Sequence, residues 1–417
     1  MSLNDTPRAD RLHIGIFGRR NAGKSSLINA LTGQEIALVS DTPGTTADPV
    51  YKSMELHPVG PVVFIDTAGF DDEGELGKLR VGKTEDVIDK TDIAVVVIDA
   101  ALVYGISCEG GQDTDLDYEK RWIKRLSDRN VPVIPVINKC DGYNGAAEGA
   151  GLPEAIEKLA GSSHVIHVSA AELTGIDSLR DAIAEAVPED FMRRKILGDI
   201  AAEGSLVLLV MPQDIQAPKG RLILPQVQTL RELLDRKCTA VATTADGLER
   251  TLSVLGRAPD LIITDSQCFR QVYDIKPDES ALTSFSVLFA AYKGDIDTFV
   301  SGASQLDEMT GNSRVLIAEA CTHVPLSEDI GREKIPRLLR KRFGDSIQVV
   351  NVCGNDFPDT EALKGFDLVI HCGACMFNRK HVLSRIADAE AAGVPITNYG
   401  VILAKLSGIL DKIELPK

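Results

Sequence analysis

Short apolar runs alternate with segments of helical spacing along almost the whole chain. Residues 12–17 (LHIGIF) read as a buried strand that breaks into a glycine-rich stretch and then into SLINALTG, which has helical spacing and a glycine stop. Residues 62–65, 93–98, 131–137 and 164–168 are further strands of the near-continuous apolar kind that a parallel sheet buries on both faces. After a helix over 178–186, Val187-Pro188 interrupts the pattern and marks a boundary near residue 190. A strand over 205–211 and a helix over 226–236, with Val227, Leu230, Leu233 and Leu234 on one face, form a short second module. From about 259 the strand-loop-helix texture resumes, with strands at 261–264, 315–318, 349–352, 367–370 and 394–397 and a helical stretch over 334–343. The expected architecture is α/β throughout: a nucleotide-binding domain over 1–190, a small α/β domain over 191–258 and a parallel-sheet α/β domain over 259–417.

Length agrees with this division, since 417 residues exceed what one core ordinarily serves. No apolar run is long enough to span a bilayer, and the leading MSLNDTPRADRLH lacks the apolar stretch of a signal segment, so a cytoplasmic protein without a membrane partner is expected. A formal charge of -16 opposes association with phosphate backbones, and nucleic acid is not an expected partner. Eight cysteines (108, 140, 238, 268, 321, 353, 372, 375) in such a chain read as buried thiols or metal ligands rather than a disulfide framework.

The chemistry begins where the strands end. Gly18-Arg19-Arg20-Asn21-Ala22-Gly23-Lys24-Ser25 has the P-loop spacing between strand and helix. In such a loop backbone N–H groups cradle phosphates, Lys24 reaches the β/γ oxygens and Ser25 offers its hydroxyl to Mg2+; Gly18, Asn21, Ala22, Gly23 and Ser26 complete the phosphate-binding set. The strand over 62–65 ends in Asp66-Thr67-Ala68-Gly69, which brings a carboxylate to the metal and the Gly69 N–H to the γ-phosphate. The strand over 131–137 ends in Asn138-Lys139-Cys140-Asp141. Asp141 can accept from guanine N1–H and its exocyclic amine together, a donor pair adenine lacks, so GTP is selected over ATP. Ser169-Ala170, after the strand over 164–168, can meet the guanine O6 through its backbone.

This motif series resembles the G domains of the Era and TrmE type. The resemblance implies that residues 41–48 (DTPGTTAD) are switch I with Thr46 as an Mg2+ ligand, and that Asn21 helps hold potassium beside the phosphates. Phe70 occupies the place where Ras-like enzymes carry a water-orienting glutamine, with Asp71, Asp72 and Glu73 beside it, so slow hydrolysis assisted by Lys24, Thr46 and Gly69 is expected. Cys108 and Cys140 read as structural or incidental, and Trp122 as packing.

The C-terminal domain has no P-loop, but strand ends run into Cys321-Thr322-His323 and into His371-Cys372-Gly373-Ala374-Cys375. Two thiolates separated by two residues can chelate one metal centre, with Gly373 leaving room for the loop to curl. Three cysteines from two distant loops favour a [4Fe-4S] cluster with a different or open fourth position, over zinc or unligated thiols. Cys238, Cys268 and Cys353 read as core or incidental thiols.

That spacing, joined to an N-terminal GTPase, resembles the HydF family, the maturation GTPases of [FeFe]-hydrogenase, and Pro218–Gln226 looks like that family's middle domain. The resemblance covers essentially the whole chain. It implies a homodimer formed through 191–258, a [4Fe-4S] cluster on Cys321, Cys372 and Cys375, and a scaffold that receives a diiron precursor from radical-SAM maturases and passes it to apo-hydrogenase. His323, Glu328 and His371 compete for an exchangeable fourth ligand position; Ser327 is expected to cap a helix that Glu328 opens. The rival readings are a tRNA- or ribosome-associated GTPase, which would need a basic appendage, and a zinc-binding regulatory GTPase.

Overall fold

The computed structural model describes residues 6–33, 49–69, 74–104, 116–143, 165–212, 222–320, 329–354 and 356–417. It divides into two compact units, Met1–Met192 and Arg193–Lys417.

In the first unit β1 (Leu12–Gly18), β2 (Val50–Leu56), β3 (Gly60–Asp66), β4 (Ile93–Asp99), β5 (Val133–Asn138) and β6 (Ile166–His167) make one sheet in the order β2-β3-β1-β4-β5-β6. Every neighbouring pair is parallel except β2 with β3. Alternate side chains feed two cores. Ile14, Ile16, Phe64 and Val95 pack beneath helices Lys24–Thr32 and Ile176–Glu185. Phe17, Val63, Ile65 and Val96 meet Trp122, Ile123 and Leu126 of helix Asp117–Asp128 on the other face. Burial on both faces is why these strands read as unbroken apolar runs. The expected packing role of Trp122 agrees with its burial, its ring lying 6.1 Å from that of Phe17.

The second unit holds two parallel four-stranded sheets. One comprises β7 (Leu206–Val210), β8 (Thr239–Thr243), β9 (Leu261–Thr264) and β10 (Ala281–Ser284), in the order β10-β9-β7-β8. The other comprises β11 (Arg314–Glu319), β12 (Gln348–Cys353), β13 (Leu368–His371) and β14 (Ile396–Asn398), in the order β12-β11-β13-β14. The strand over 261–264, expected to open the C-terminal domain, instead pairs with β7. Strand-helix texture is the same on both sides of that junction, so it carries no sign of sheet membership. The change of sheet falls between helices Phe285–Lys293 and Ile296–Ser304, where Asp295 caps the second helix by accepting from the Thr298 N–H.

The two sheets share a core. Leu208, Val210 and Ile262 belong to the same buried cluster as Leu316, Ile317 and Ile370. The middle sheet therefore completes its core against its neighbour. Its β10 edge is partly covered, since the Glu414 N–H bonds the Leu282 carbonyl, whereas β8 pairs only with β7 among the described residues. Helix Leu224–Asp235 corrects a second expectation: Gln226, Thr229 and Leu233 face inward, while Val227 and Leu234 are 47% and 59% exposed. Leu230 and Leu233 of the expected stripe do pack inward, but the inward face mixes polar with apolar residues, which is why apolar spacing also took in the exposed Val227 and Leu234.

Candidate GTP site and cysteine site

β1 delivers the phosphate loop. Gly23 has φ +89, and a Cβ there would lie 2.2 Å from Asn138 Nδ2, so only glycine permits this close approach. Lys24 is buried, and its Nζ donates to the carbonyls of Gly18 at 3.0 Å and Arg19 at 2.9 Å. Asn21 is exposed and left-handed, with φ 62. The Ser25 hydroxyl donates to Asp66 Oδ2 at 2.6 Å. Burial raises the Asp66 carboxyl above the usual range, opposed by Ser25, Lys24 and Lys52. Asp66 Oδ1 is buried and accepts no hydrogen bond. A hydroxyl beside an unsatisfied carboxylate oxygen is a donor set that fits hydrated Mg2+. The chain past β3 is anchored by Thr67, whose hydroxyl donates to the Ile16 carbonyl at 2.7 Å, with buried Gly69 two residues further on. Thr46 and residues 41–48 lie outside the described residues, as do Phe70, Asp71, Asp72 and Glu73.

β5 and β6 supply the other end. Asn138 is 1% exposed; its Nδ2 donates to the Ala22 carbonyl at 3.0 Å and its Oδ1 accepts from the Ala170 N–H at 3.2 Å. One side chain thus ties the phosphate loop to the loop after β6. Asp141 is exposed, and its Oδ1 accepts from Ser169 Oγ at 2.6 Å, which orients the carboxylate. Lys139, with φ 68, pairs with Asp99 at 2.6 Å. Ser26 opens helix Lys24–Thr32 with Lys24 and Ser25.

Sequence reasoning missed two residues here. Glu119 is fully buried and holds Arg19 of the phosphate loop at 2.7 and 2.9 Å. Nothing in YEKRW distinguishes that acid from its solvated neighbours. Lys52 is also buried, and its signal was legible: it takes an inward position of β2 in line with Met54 and Leu56. Burial lowers the Lys52 ammonium's pKa, against the pull of Asp66.

The second candidate site lies in the last sheet. The chain passes from β11 to β12 on one side and then to β13 on the other, so a topological switch point opens between β11 and β13. Cys372 follows β13 there. Its Sγ accepts from the Ala320 N–H at 3.0 Å and the Ala374 N–H at 3.4 Å, and Ala320 is the residue before Cys321. Burial raises the Cys372 thiol, and these two N–H groups oppose the rise. Such donors suit a thiolate, so Cys372 fits a metal-ligand role. Ala374, with φ 48, takes the left-handed turn, and the space beside Gly373, expected to leave room for the loop to curl, is open. Cys375 is half-buried.

His371 is fully buried. Its Nε2 lies 3.0 Å from Arg385 Nη1 and its Nδ1 2.7 Å from the Cys372 carbonyl. Arg385 can only donate, so Nε2 accepts and the Nδ1–H donates. Burial, then Arg385, lowers the His371 pKa to about 3. Arg385 also bonds the Gly354 carbonyl, and Asn398 Nδ2 donates to the Cys372 carbonyl at 3.0 Å. Arg385 and Asn398 were missed because they arrive from other elements; an asparagine at the end of β14 was the one available sign.

Cys321, His323, Ser327 and Glu328 lie outside the described residues. The following helical turn begins at Ile330 and is capped by Asp329, which accepts from the N–H groups of Gly331 and Arg332. Cys353 ends β12 opposite Glu319, and Cys238 Sγ donates to the Ala202 carbonyl. Among the described residues no three His, Cys, Asp or Glu side chains gather as a metal-holding group. No helix among them is long and apolar enough to cross a membrane.

Comparison with known proteins agrees with the division of the chain. Residues 13–139 match the model of a 50S ribosome-binding GTPase, 196–294 that of the hydrogen maturase F dimerization domain, and 297–415 that of the hydrogen maturase F tetramerization domain. Relatives are GTPase Der of Kosmotoga olearia (35% identical over 181 residues, 42% of this chain and 38% of that protein), tRNA modification GTPase MnmE of Picosynechococcus sp. (34% over 177 residues, 42% and 35%), and GTPase Era of Heliobacterium modesticaldum (32% over 177 residues, 42% and 55%). The chain thus spans at most 55% of these relatives' own lengths. The two maturase models together span more than half of the chain. With a P-loop GTPase unit followed by both maturase modules, the chain belongs to the hydrogen maturase F (HydF) family of GTPases.

Proposed function

We propose that this GTPase is a scaffold and carrier that binds a [4Fe-4S] cluster through Cys321, Cys372 and Cys375, and delivers a diiron precursor to apo [FeFe]-hydrogenase. The observation that carries the reading is the N–H bond from Ala320 to Cys372 Sγ at the β11/β13 switch point, because it brings the chain leading to Cys321 against a half-buried thiol 3.0 Å away. The cluster would supply an iron with an exchangeable coordination position for the incoming unit. His371 keeps both ring nitrogens engaged, so it serves as a positioning residue that fixes the Cys372 backbone, and His323 or Glu328 remains for the fourth place. Radical-SAM maturases would supply the precursor.

In the GTP site Asn138, Asp141, Ser169 and Ala170 bind guanine; Gly18, Asn21, Ala22, Gly23, Lys24 and Ser26 bind phosphates. Ser25, Thr46 and Asp66 hold Mg2+, directly or through water. Lys24, Thr46 and Gly69 stabilise charge on the transferred phosphoryl group, and Asn21 favours potassium. GTP acts as a switch on partner association. Dimerisation uses the open β8 edge and the exposed Val227 and Leu234 beside it, in a middle domain that runs to about residue 294. Acquisition of hydrogenase activity tests the whole reading: protein loaded anaerobically by its maturases should activate apo-hydrogenase, and loaded Cys321→Ala protein should not. Equal activation by both would overturn it.

A further inference from the structure

Lys52 lies on β2 with 6% of its surface exposed, and its Nζ is itself buried without a hydrogen-bond partner. A lysine that merely lines a core extends its ammonium to water; this one does not. The antiparallel register sets Lys52 opposite Phe64, so Asp66, two residues further along β3, is its diagonal neighbour on the same face. That face carries Met54 and Phe64 into the core beneath helix Lys24–Thr32, the helix from which Ser25 reaches Asp66 at 2.6 Å. Two opposite charges thus face one small region, each with an unsatisfied atom, Lys52 Nζ and Asp66 Oδ1, and no hydrogen bond joins them.

An isolated buried ammonium is strongly unfavourable, and the nearby carboxylate is what offsets it. A cation arriving at Asp66 then meets a charge already there. We propose that Lys52 sets the Mg2+ affinity of the GTP site, its ammonium competing with the metal for the Asp66 carboxylate, so that Mg2+ is held less tightly and GDP leaves faster. The proposal rests on the reading of Ser25 and Asp66 as the Mg2+ pole of the site. A unit charge one diagonal strand spacing away, at the effective dielectric of protein sites, changes the binding of a divalent cation by at least about tenfold.

The test is release of a fluorescent GDP analogue from the full-length protein, followed by stopped flow across a range of free Mg2+. In Lys52→Met the Mg2+ concentration that halves the release rate should fall by at least about tenfold, with rates converging at saturating Mg2+. Lys52→Gln, which removes the charge but keeps a polar end, should show the same shift and serves if the methionine variant does not fold. Trp122 fluorescence reports folding of the first unit in each. A half-point that stays put or rises in a folded variant overturns the proposal. Release from the unsubstituted protein that ignores Mg2+ altogether would overturn the Mg2+ assignment, and this inference with it.

Discussion

Replacing Glu119 by Ala should destabilise the GTPase unit and do so more than replacing it by Gln. The carboxylate is fully buried and holds Arg19 through two short bonds, while the Arg19 side chain is 17% exposed. Removing one partner of a buried pair strands the other charge, at a cost of about 3–5 kcal/mol. Arg19 keeps some access to water and lies over the Tyr118 ring at 5.0 Å, so the lower end applies, about 3 kcal/mol, or roughly a hundredfold in the folding equilibrium. Glu119→Gln retains an acceptor of the same shape and should lose about half of that. The assay is urea unfolding followed by fluorescence. The chain has one tryptophan, Trp122, buried three residues from Glu119, so the signal reports this unit and not the second. With a urea slope of about 2 kcal/mol/M the Ala midpoint should drop by about 1.5 M. An Ala midpoint within about 0.3 M of the unsubstituted protein would refute the pair's role. Because Arg19 belongs to the phosphate loop and its carbonyl accepts from Lys24, GTP affinity should fall in parallel.

Further outcomes follow from the same geometry. Asn138→Ala would leave the buried Ala22 carbonyl and the Ala170 N–H unpaired and should weaken GTP binding by about 1–3 kcal/mol; calorimetry showing unchanged affinity would contradict the bridging role. Asp141→Asn should shift preference from guanine toward xanthine nucleotides, whose C2 oxo group accepts where the amine donated, and competition binding measures the shift. Val227→Asp with Leu234→Arg should yield monomer by light scattering, since both side chains lie exposed beside the β8 edge; a dimer of unchanged mass would move the interface elsewhere.

The chemistry of the first unit was legible because each motif stands at the end of a strongly apolar strand, and β1, β3, β4 and β5 fall within two residues of their expected spans at each end. The place of Cys372 directly after β13 was legible for the same reason. Sheet membership was not: β9 and β11 look alike in sequence, and only long-range pairing assigns one to β7 and the other to β12 and β13. Residues that act through burial were also hidden. Glu119 and Arg385 resemble surface charges until the fold encloses them, whereas Lys52 could have been noticed as a charge on the inward stripe of an alternating strand. Helix Leu224–Asp235 misled in the opposite sense, because an apolar residue at an exposed position gives the same pattern as one in a core.

The measurement closest to the central claim is the iron and acid-labile sulfide content of anaerobically reconstituted protein, taken with the electron paramagnetic resonance spectrum of its reduced form. The expected result is about four irons and four sulfides per chain with a [4Fe-4S] signal, and loss of both in Cys372→Ala. A Cys372→Ala protein that keeps its iron and an unchanged spectrum, or an unsubstituted protein that takes up zinc in place of iron, would contradict it.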